Sequence, residues 1–292
     1  MTASPNISVC VPTRNRPQYL RACLNSIQRS DLQPIEIVVS EDSDKKCVAE
    51  TKRIALSFSK VKYVEGPKKG ASANRNNCLI HVDSKAEFVS FIDDDALMYP
   101  DFFDNILSCY RNAKKKYATE DIIVTGSRDI GDGSPSLPPD IDFIGSYRQK
   151  PLNSQFIAVH MISNLFPVKL FEKIRFDENI PWCNERDISL HAISIGYKIV
   201  GCPRAVVYHP IYSHEGSKSN FERNFASLYY FGLKRYWLYE HSVFRFLTFN
   251  IYVLARSTTA SVFKLHFNRL PLIVRLVPRS WRRFLHFVKE QQ

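Results

Sequence analysis

Asp93-Asp94-Asp95 follows directly on the apolar run Phe88-Val89-Ser90-Phe91-Ile92. That run is rich in aromatic and β-branched residues and reads as a short buried strand. Carboxylates at the carboxyl end of such a strand face the crevice where open α/β sheets take ligands. Three adjacent anions repel one another unless a cation is shared among them. A hard divalent ion carrying substrate phosphates suits them, because Mg²⁺ is usually held by one or two carboxylates plus phosphate oxygens. Taken alone, the triplet has a competing reading as a solvated acidic turn.

Other reactive residues stand at the ends of other predicted elements. The first strand-like run leads into Val11-Pro12-Thr13-Arg14-Asn15-Arg16-Pro17, and the second into Val38-Val39-Ser40-Glu41-Asp42-Ser43. A later helix opens with Gly70-Ala71-Ser72-Ala73-Asn74-Arg75-Asn76. On one rim of a parallel sheet these residues would supply an acid for nucleotide hydroxyls or base and an arginine for phosphate. With the aspartates as metal ligands, they describe a nucleoside-diphosphate pocket.

The elements that must position these residues alternate. Strands are predicted at 7–11, 35–39, 61–64, 88–92 and 122–124, and helices at 17–28, 46–58, 71–81 and 101–110. Such alternation implies βαβ units and a mostly parallel sheet. Residues 129–140 form a turn-rich loop with two glycines and three prolines; the longer stretch 129–154 is a candidate lid or acceptor wall. A strand at 156–162 and a helix at 166–174 follow. Asn184 is a suitable N-cap for a helix reaching about Ile195, ended by Gly196. Runs 198–200 and 205–208 are two further strands.

The chain has 292 residues, 45% hydrophobic and 13% aromatic, enough for a substantial core. No secretory leader pattern precedes Ile7. Seven widely spaced cysteines without a Cys-x-x-Cys pair suggest free thiols of a reducing compartment, with neither a disulfide framework nor a zinc site. The expected division is a catalytic domain over 1–215 and a helical extension over 216–292. Residues 241–292 hold nine Lys/Arg against one acidic residue, +8 of the overall +11. Val243–Leu254 is too short and too closely flanked by arginines to cross a bilayer. The segment Ser280–Lys289 mixes Trp281, Phe284 and Phe287 with Arg282, Arg283 and Lys289, as interfacial helices do. The expectation is contact with an anionic membrane surface; the alternative is that these aromatics pack on the catalytic domain.

Over roughly residues 6–215 the motifs and their order resemble the inverting glycosyltransferases of family 2, which have the GT-A fold. The resemblance implies an α/β, Rossmann-like sheet flanked by helices. It assigns Pro12, Thr13, Arg14, Glu41 and Asp42 to the nucleotide base and ribose, and Arg75 to nucleotide contact. Asp93-Asp94-Asp95 matches the family's Asp-x-Asp motif. Asp95 is then the direct ligand of Mn²⁺ or Mg²⁺, Asp93 lies toward ribose and metal, and Asp94 is in the nucleotide-sugar site. Arg175-Phe176-Asp177-Glu178 is similar to the family's Gly-Phe-Asp-Glu. Asn184-Glu185-Arg186-Asp187-Ile188-Ser189-Leu190 is similar to its Glu-Asp-x-Asp-Leu-x-Leu. Glu185 thereby falls on the catalytic base and Asp187 on the second acidic position. Val206-Val207-Tyr208-His209 resembles the closing strand, with His209 toward metal or diphosphate and His214 as a competitor. The chain departs from the pattern in having Glu185 in place of Asp, Asn184 in place of Glu, and His191 in place of Arg. Between the two acids Glu185 is preferred, because Asp187 at the third position of a capped helix has a structural reason to be there.

The resemblance implies a nucleoside-diphosphate sugar as donor and a saccharide acceptor. The basic tail suggests a lipid-linked acceptor at the cytoplasmic face of the cell membrane. A sugar-nucleotide nucleotidyltransferase should carry a glycine-rich loop after its first strand, and residues 11–17 contain no glycine. A sugar-nucleotide-binding protein without transferase activity is a further alternative. Nucleic-acid binding ranks last, since the positive charge is confined to the tail and the pocket residues are acidic.

Overall fold

The computed structural model describes residues 5–148, 156–210, 221–263 and 269–290. The first half is built from β1 (Ile7–Thr13), α1 (Pro17–Gln28), β2 (Glu36–Glu41), α2 (Lys45–Ala55), β3 (Val61–Glu65), α3 (Ala71–Ile80), β4 (Phe88–Phe91), β5 (Leu97–Met98) and α4 (Phe102–Tyr117). The chain continues through β6 (Ile122–Asp129), β7 (Asp140–Ile141), β8 (Tyr147–Arg148), β9 (Asn164–Pro167), α5 (Leu170–Lys173), α6 (Asn184–Ser194) and β10 (Lys198–Tyr208). Last come α7 (Phe221–Lys234), a π-helical turn (Arg235–Tyr239), α8 (Val243–Phe263) and α9 (Arg269–Glu290).

Eight strands form one sheet in the order β3-β2-β1-β4-β9-β6-β10-β5. Strands β3, β2, β1 and β4 run parallel, as do β6 and β10, while β9 lies antiparallel between β4 and β6. Alternation along β1 sends Ile7, Val9 and Val11 into a core beneath α1, α2 and α4, and Cys10 into a second core on the opposite face. Thr13 pairs in register with Glu41, and Ile92 donates its amide to the Cys10 carbonyl at 3.1 Å. The carboxyl ends of β1, β2 and β4 therefore lie side by side, with the aspartates just beyond them.

Several expected elements shift. Residues 156–162 form no strand; β9 begins two residues later, where Asn164 hydrogen-bonds both the amide and the carbonyl of Phe91 at 2.9 and 3.1 Å. Phe166 and Pro167 then pair with Val89 and Phe88, which confines the expected helix to Leu170–Lys173. The two strands expected at 198–208 are one, irregular between Cys202 and Val206.

The cysteine reading needs correction. Cys109 on α4 and Cys202 on β10 form a disulfide, their Cα atoms 5.9 Å apart although 93 residues separate them in sequence. Only the packing of α4 over β10 brings them together. Cys10, Cys23, Cys47, Cys78 and Cys183 are free thiols.

The C-terminal helices share a core with α6 and the loop before it. Ile180, Cys183 and Leu190 join Phe225, Tyr229, Tyr236, Phe249 and Phe284 in a third cluster. Phe284 is buried there, and Trp281 donates its indole N–H to Tyr229 Oη at 3.1 Å. These aromatics of α9, expected at a membrane, pack inward, while α8 exposes a row of Phe244, Leu247 and Ile251. Among the described residues no helix is long and apolar enough to cross a membrane.

Candidate functional site

Pro12, Thr13, Arg14, Asp42, Arg75, Asp93 and Asp94 line one cavity of about 500 Å³ at the carboxyl rim of the parallel strands. Gly70 opens α3 with φ at +99°, a conformation that favours glycine, and itself lines the cavity. Gly66 is required for a different reason. A Cβ there would come within 2.1 Å of Asp42 Oδ1 and 2.8 Å of the Glu41 carbonyl.

The three aspartates take different partners. Asp93 accepts from Arg75 Nη2 at 2.9 Å. Asp94 is buried, accepts from the Thr13 hydroxyl at 2.7 Å, and meets Arg16 Nη1 at 3.3 Å. Burial lifts the Asp94 carboxyl to about 7, against the pull of the Thr13 hydrogen bond and the Arg16 charge. Asp95 pairs with Arg16 and, at 3.1 Å, with His209 Nε2. Burial works to raise the Asp95 carboxyl, but the His209 hydrogen bond and the Arg16 charge outweigh it and leave it below the usual range.

Asp93, Asp95 and His209 each offer a donor atom within 4.8 Å of the other two. Two carboxylate oxygens and an imidazole nitrogen suit Mn²⁺ or Mg²⁺, which favour hard oxygen donors and leave positions for phosphate. His214 lies outside the described residues.

The Arg75 guanidinium also donates through Nη1 to Asn184 Oδ1 at 3.1 Å. Asn184 is thus not the cap of α6. Cys183 holds that position in the left-handed region with φ at 62°, and Asn184 starts the helix with its side chain turned to Arg75. The following residue, Glu185, accepts from Tyr147 Oη at 2.8 Å and lies 3.3 Å from Arg186 Nε. Arg186 is itself sandwiched between the rings of Tyr147 and Trp182, 3.9 and 4.7 Å from their centroids. Of the stretch proposed as a lid, residues 149–154 lie outside the described residues, while Tyr147 on β8 reaches Glu185.

Two of the expected site residues stand apart. Glu41 is turned into the β2–α2 junction, accepting from the Ser43 amide at 2.5 Å and Tyr63 Oη at 3.3 Å, and does not line the cavity. Asp187 is fully enclosed, taking Lys234 Nζ and Tyr239 Oη at 2.8 Å each. These bonds join α6 to the C-terminal helices. Residues absent from the expected set are Arg16, Asn74 and Arg223, all lining the cavity. Pro17 at the start of α1 makes Arg16 its cap residue, a placement legible beforehand; nothing in the sequence around α7 singles out Arg223.

The strand order, with a metal-suited carboxylate cluster at the rim of a nucleotide-sized cavity, is that of GT-A glycosyltransferases. Residues 8–167 match the model of glycosyl transferase family 2. The chain belongs to that family. It is 37% identical over 97 residues to the GalNAc(5)-diNAcBac-PP-undecaprenol β-1,3-glucosyltransferase of Campylobacter jejuni, covering 31% of this chain and 30% of that protein. It is 30% identical over 196 residues to an uncharacterized glycosyltransferase of Rickettsia prowazekii, covering 63% and 58%. The chain therefore spans between about a third and three-fifths of these relatives. Among solved structures it superposes on S. aureus TarS 1–349 in complex with UDP-GlcNAc with a TM-score of 0.65 at 17% identity, covering 94% of this chain and 80% of that one. On GalNAc-T7 with UDP, GalNAc and Mn²⁺ the TM-score is 0.63 at 15% identity, covering 79% and 50%. These two likenesses establish the fold.

Proposed function

We propose that this protein is an inverting glycosyltransferase that moves a sugar from a nucleoside-diphosphate donor to an acceptor hydroxyl, in the assembly of a cell-surface polysaccharide or lipid-linked glycan. One observation carries the reading: a single buried guanidinium, Arg75, joins Asp93 to Asn184, the residue preceding Glu185. It couples the metal-suited cluster to the start of the helix that holds the base.

In this reading Thr13, Arg14 and Asp42 receive the nucleotide, and Arg75 and Arg16 face its phosphates. Asp93, Asp95 and His209 would hold Mn²⁺ or Mg²⁺, which when bound supplies positive charge against the departing diphosphate. Glu185 accepts the proton of the acceptor hydroxyl as its oxygen bonds to the anomeric carbon. The bond from that carbon to the diphosphate oxygen breaks, its electron pair leaves with the nucleoside diphosphate, and the anomeric configuration inverts.

The uridine nucleotides in the TarS and GalNAc-T7 structures support a UDP-sugar as the first donor to test. The undecaprenyl-linked substrate in the Campylobacter relative's name supports a lipid-linked acceptor. An exposed apolar row on α8, within a segment that carries nine Lys/Arg over residues 241–292, supports docking on an anionic bilayer, at its cytoplasmic face. The test is a donor screen reading nucleoside-diphosphate release with Mn²⁺, with and without EDTA. Release with one sugar nucleotide, abolished by EDTA, is expected. Failure of every donor to bind or turn over, with lipid-linked acceptors present, would sink the proposal.

A further inference from the structure

Two side chains converge on one oxygen of Glu185. Tyr147 Oη donates to Oε1 at 2.8 Å, and Arg186 Nε lies 3.3 Å from the same atom. Among the described residues, Oε2 takes part in no hydrogen bond or ion pair. A phenol keeps its proton near neutral pH, so Tyr147 donates and the carboxylate accepts.

Tyr147 is held by a frame that reaches the C-terminal helices. It opens β8, directly after the loop 142–146 that joins β7 to β8. Arg235 Nη1 donates to the Asp142 carbonyl of that loop at 2.8 Å, and Tyr236 Oη to that of Phe143 at 2.6 Å. Arg186 Nη1 donates to the Gly145 carbonyl at 2.5 Å. Gly145 has φ at +87°, and a Cβ there would meet the Phe231 ring at 3.1 Å. The Tyr147 ring in turn covers the Arg186 guanidinium, 3.9 Å from its centroid. Hairpin and α6 therefore fix one another on either side of Glu185. A carboxylate bonded through one oxygen cannot turn freely, and it presents the other in one direction.

We infer that Tyr147 is a positioning residue: its hydroxyl fixes Glu185 Oε1 and leaves Oε2 as the atom that takes the acceptor proton. The inference rests on the function proposed above and deepens it. In that step the acceptor O–H bond breaks and its proton passes to Oε2. The acceptor oxygen bonds to the anomeric carbon, and the nucleoside diphosphate leaves with the electron pair of the broken bond. Tyr147 keeps its own proton throughout.

Two double-mutant cycles on the full chain test this. The first reads nucleoside-diphosphate release with Mn²⁺ from the sugar nucleotide that the donor screen selects, with UDP-GlcNAc tried first. Tyr147→Phe keeps the ring over Arg186 and should lower kcat about tenfold, the scale of one charge-assisted hydrogen bond, with donor KM unchanged. In a Glu185→Gln background the same change should cost less than about twofold, because Tyr147 acts only through the carboxylate. An unchanged kcat, an equal loss in both backgrounds, or a loss confined to donor KM overturns the inference. The second cycle needs no substrate. Urea midpoints of Tyr147→Phe, Glu185→Ala and the double variant should be non-additive, the double variant losing less than the two single losses together. Additive midpoints overturn the contact itself, whatever the turnover. Non-additive midpoints with no sugar nucleotide turned over would overturn the positioning role through the function it rests on, a result distinct from the additive one.

Discussion

Lys234 donates to the buried Asp187 carboxylate at 2.8 Å, two residues beyond Glu185 along α6. The same ammonium bonds Asp177 at 2.8 Å and sits 4.1 Å from the centroid of the Phe287 ring on α9. One side chain of α7 thus ties the helix carrying Glu185 to the loop before it and to the last helix of the chain. Burial raises the Asp187 carboxyl above its usual range, with Lys234 opposing; at Asp177 the ammonium outweighs burial and lowers it.

Lys234→Met would leave two enclosed carboxylates without their cation. Removing one partner of a buried ion pair costs about 3–5 kcal/mol, and a loss of that size in urea unfolding is the expected outcome. A loss below about 1 kcal/mol, the scale of an exposed ion pair, would show that this contact does not anchor the C-terminal helices.

How much of this was legible beforehand depends on distance along the chain. Proline at the start of α1, with Leu20, Cys23, Leu24 and Ile27 at helical spacing, marked that helix at both ends. The aspartates after β4 and Arg75 after Gly70 were visible because each follows its own element directly. Asp187 was not, since its partner Lys234 lies 47 residues away among tail cations of similar appearance. The disulfide and Asn164's clasp on Phe91 are likewise tertiary. Local periodicity around Phe156 offered a strand that the sheet does not use.

Glu185 and Asp187 are separable by experiment. Glu185→Gln removes the proton acceptor and should lower turnover by about 10²–10⁴-fold, with nucleotide affinity and unfolding midpoint unchanged. Asp187→Asn should instead lower the unfolding midpoint, while turnover per folded molecule stays far closer to wild type. Steady-state rates paired with thermal melts decide it; the opposite pattern would exchange the two roles.

His191 stacks on Tyr239 with ring centroids 5.1 Å apart. Burial, with the nearby Lys234 charge, holds its imidazole at about 4, while Asp177 pulls weakly the other way. An unfolded histidine titrates near 6.5, so the unfolded chain takes up this proton first as pH falls. The contribution of His191 to stability is constant above about pH 6.5 and declines toward pH 4, by at most about 3 kcal/mol. His191→Phe keeps the stack and loses the proton. Its unfolding free energy, measured across that window, should fall less steeply than the wild type's; parallel curves would mean the imidazole titrates normally in the folded protein.

Among the described residues, five exposed apolar side chains of the C-terminal region lie on α8, against Val274 and Leu285 on α9. Phe244, Leu247 and Ile251 are 79%, 57% and 71% exposed, whereas Phe246 and Phe249 on the other side of the helix are buried. Positions 244, 247 and 251 follow helical spacing and make one stripe. Inserting a leucine or isoleucine side chain into the acyl boundary gains about 1.5–3 kcal/mol. Leu247→Glu/Ile251→Glu should therefore reduce partition onto phosphatidylglycerol vesicles by more than about tenfold, each 1.4 kcal/mol being a factor of ten. Trp281→Ala should lower the melting temperature, because Trp281 packs beneath this layer against Phe246 and Phe284. Its vesicle partition per folded molecule should match the wild type. Partition lost in Trp281→Ala but retained in the α8 variant would move the membrane face to α9.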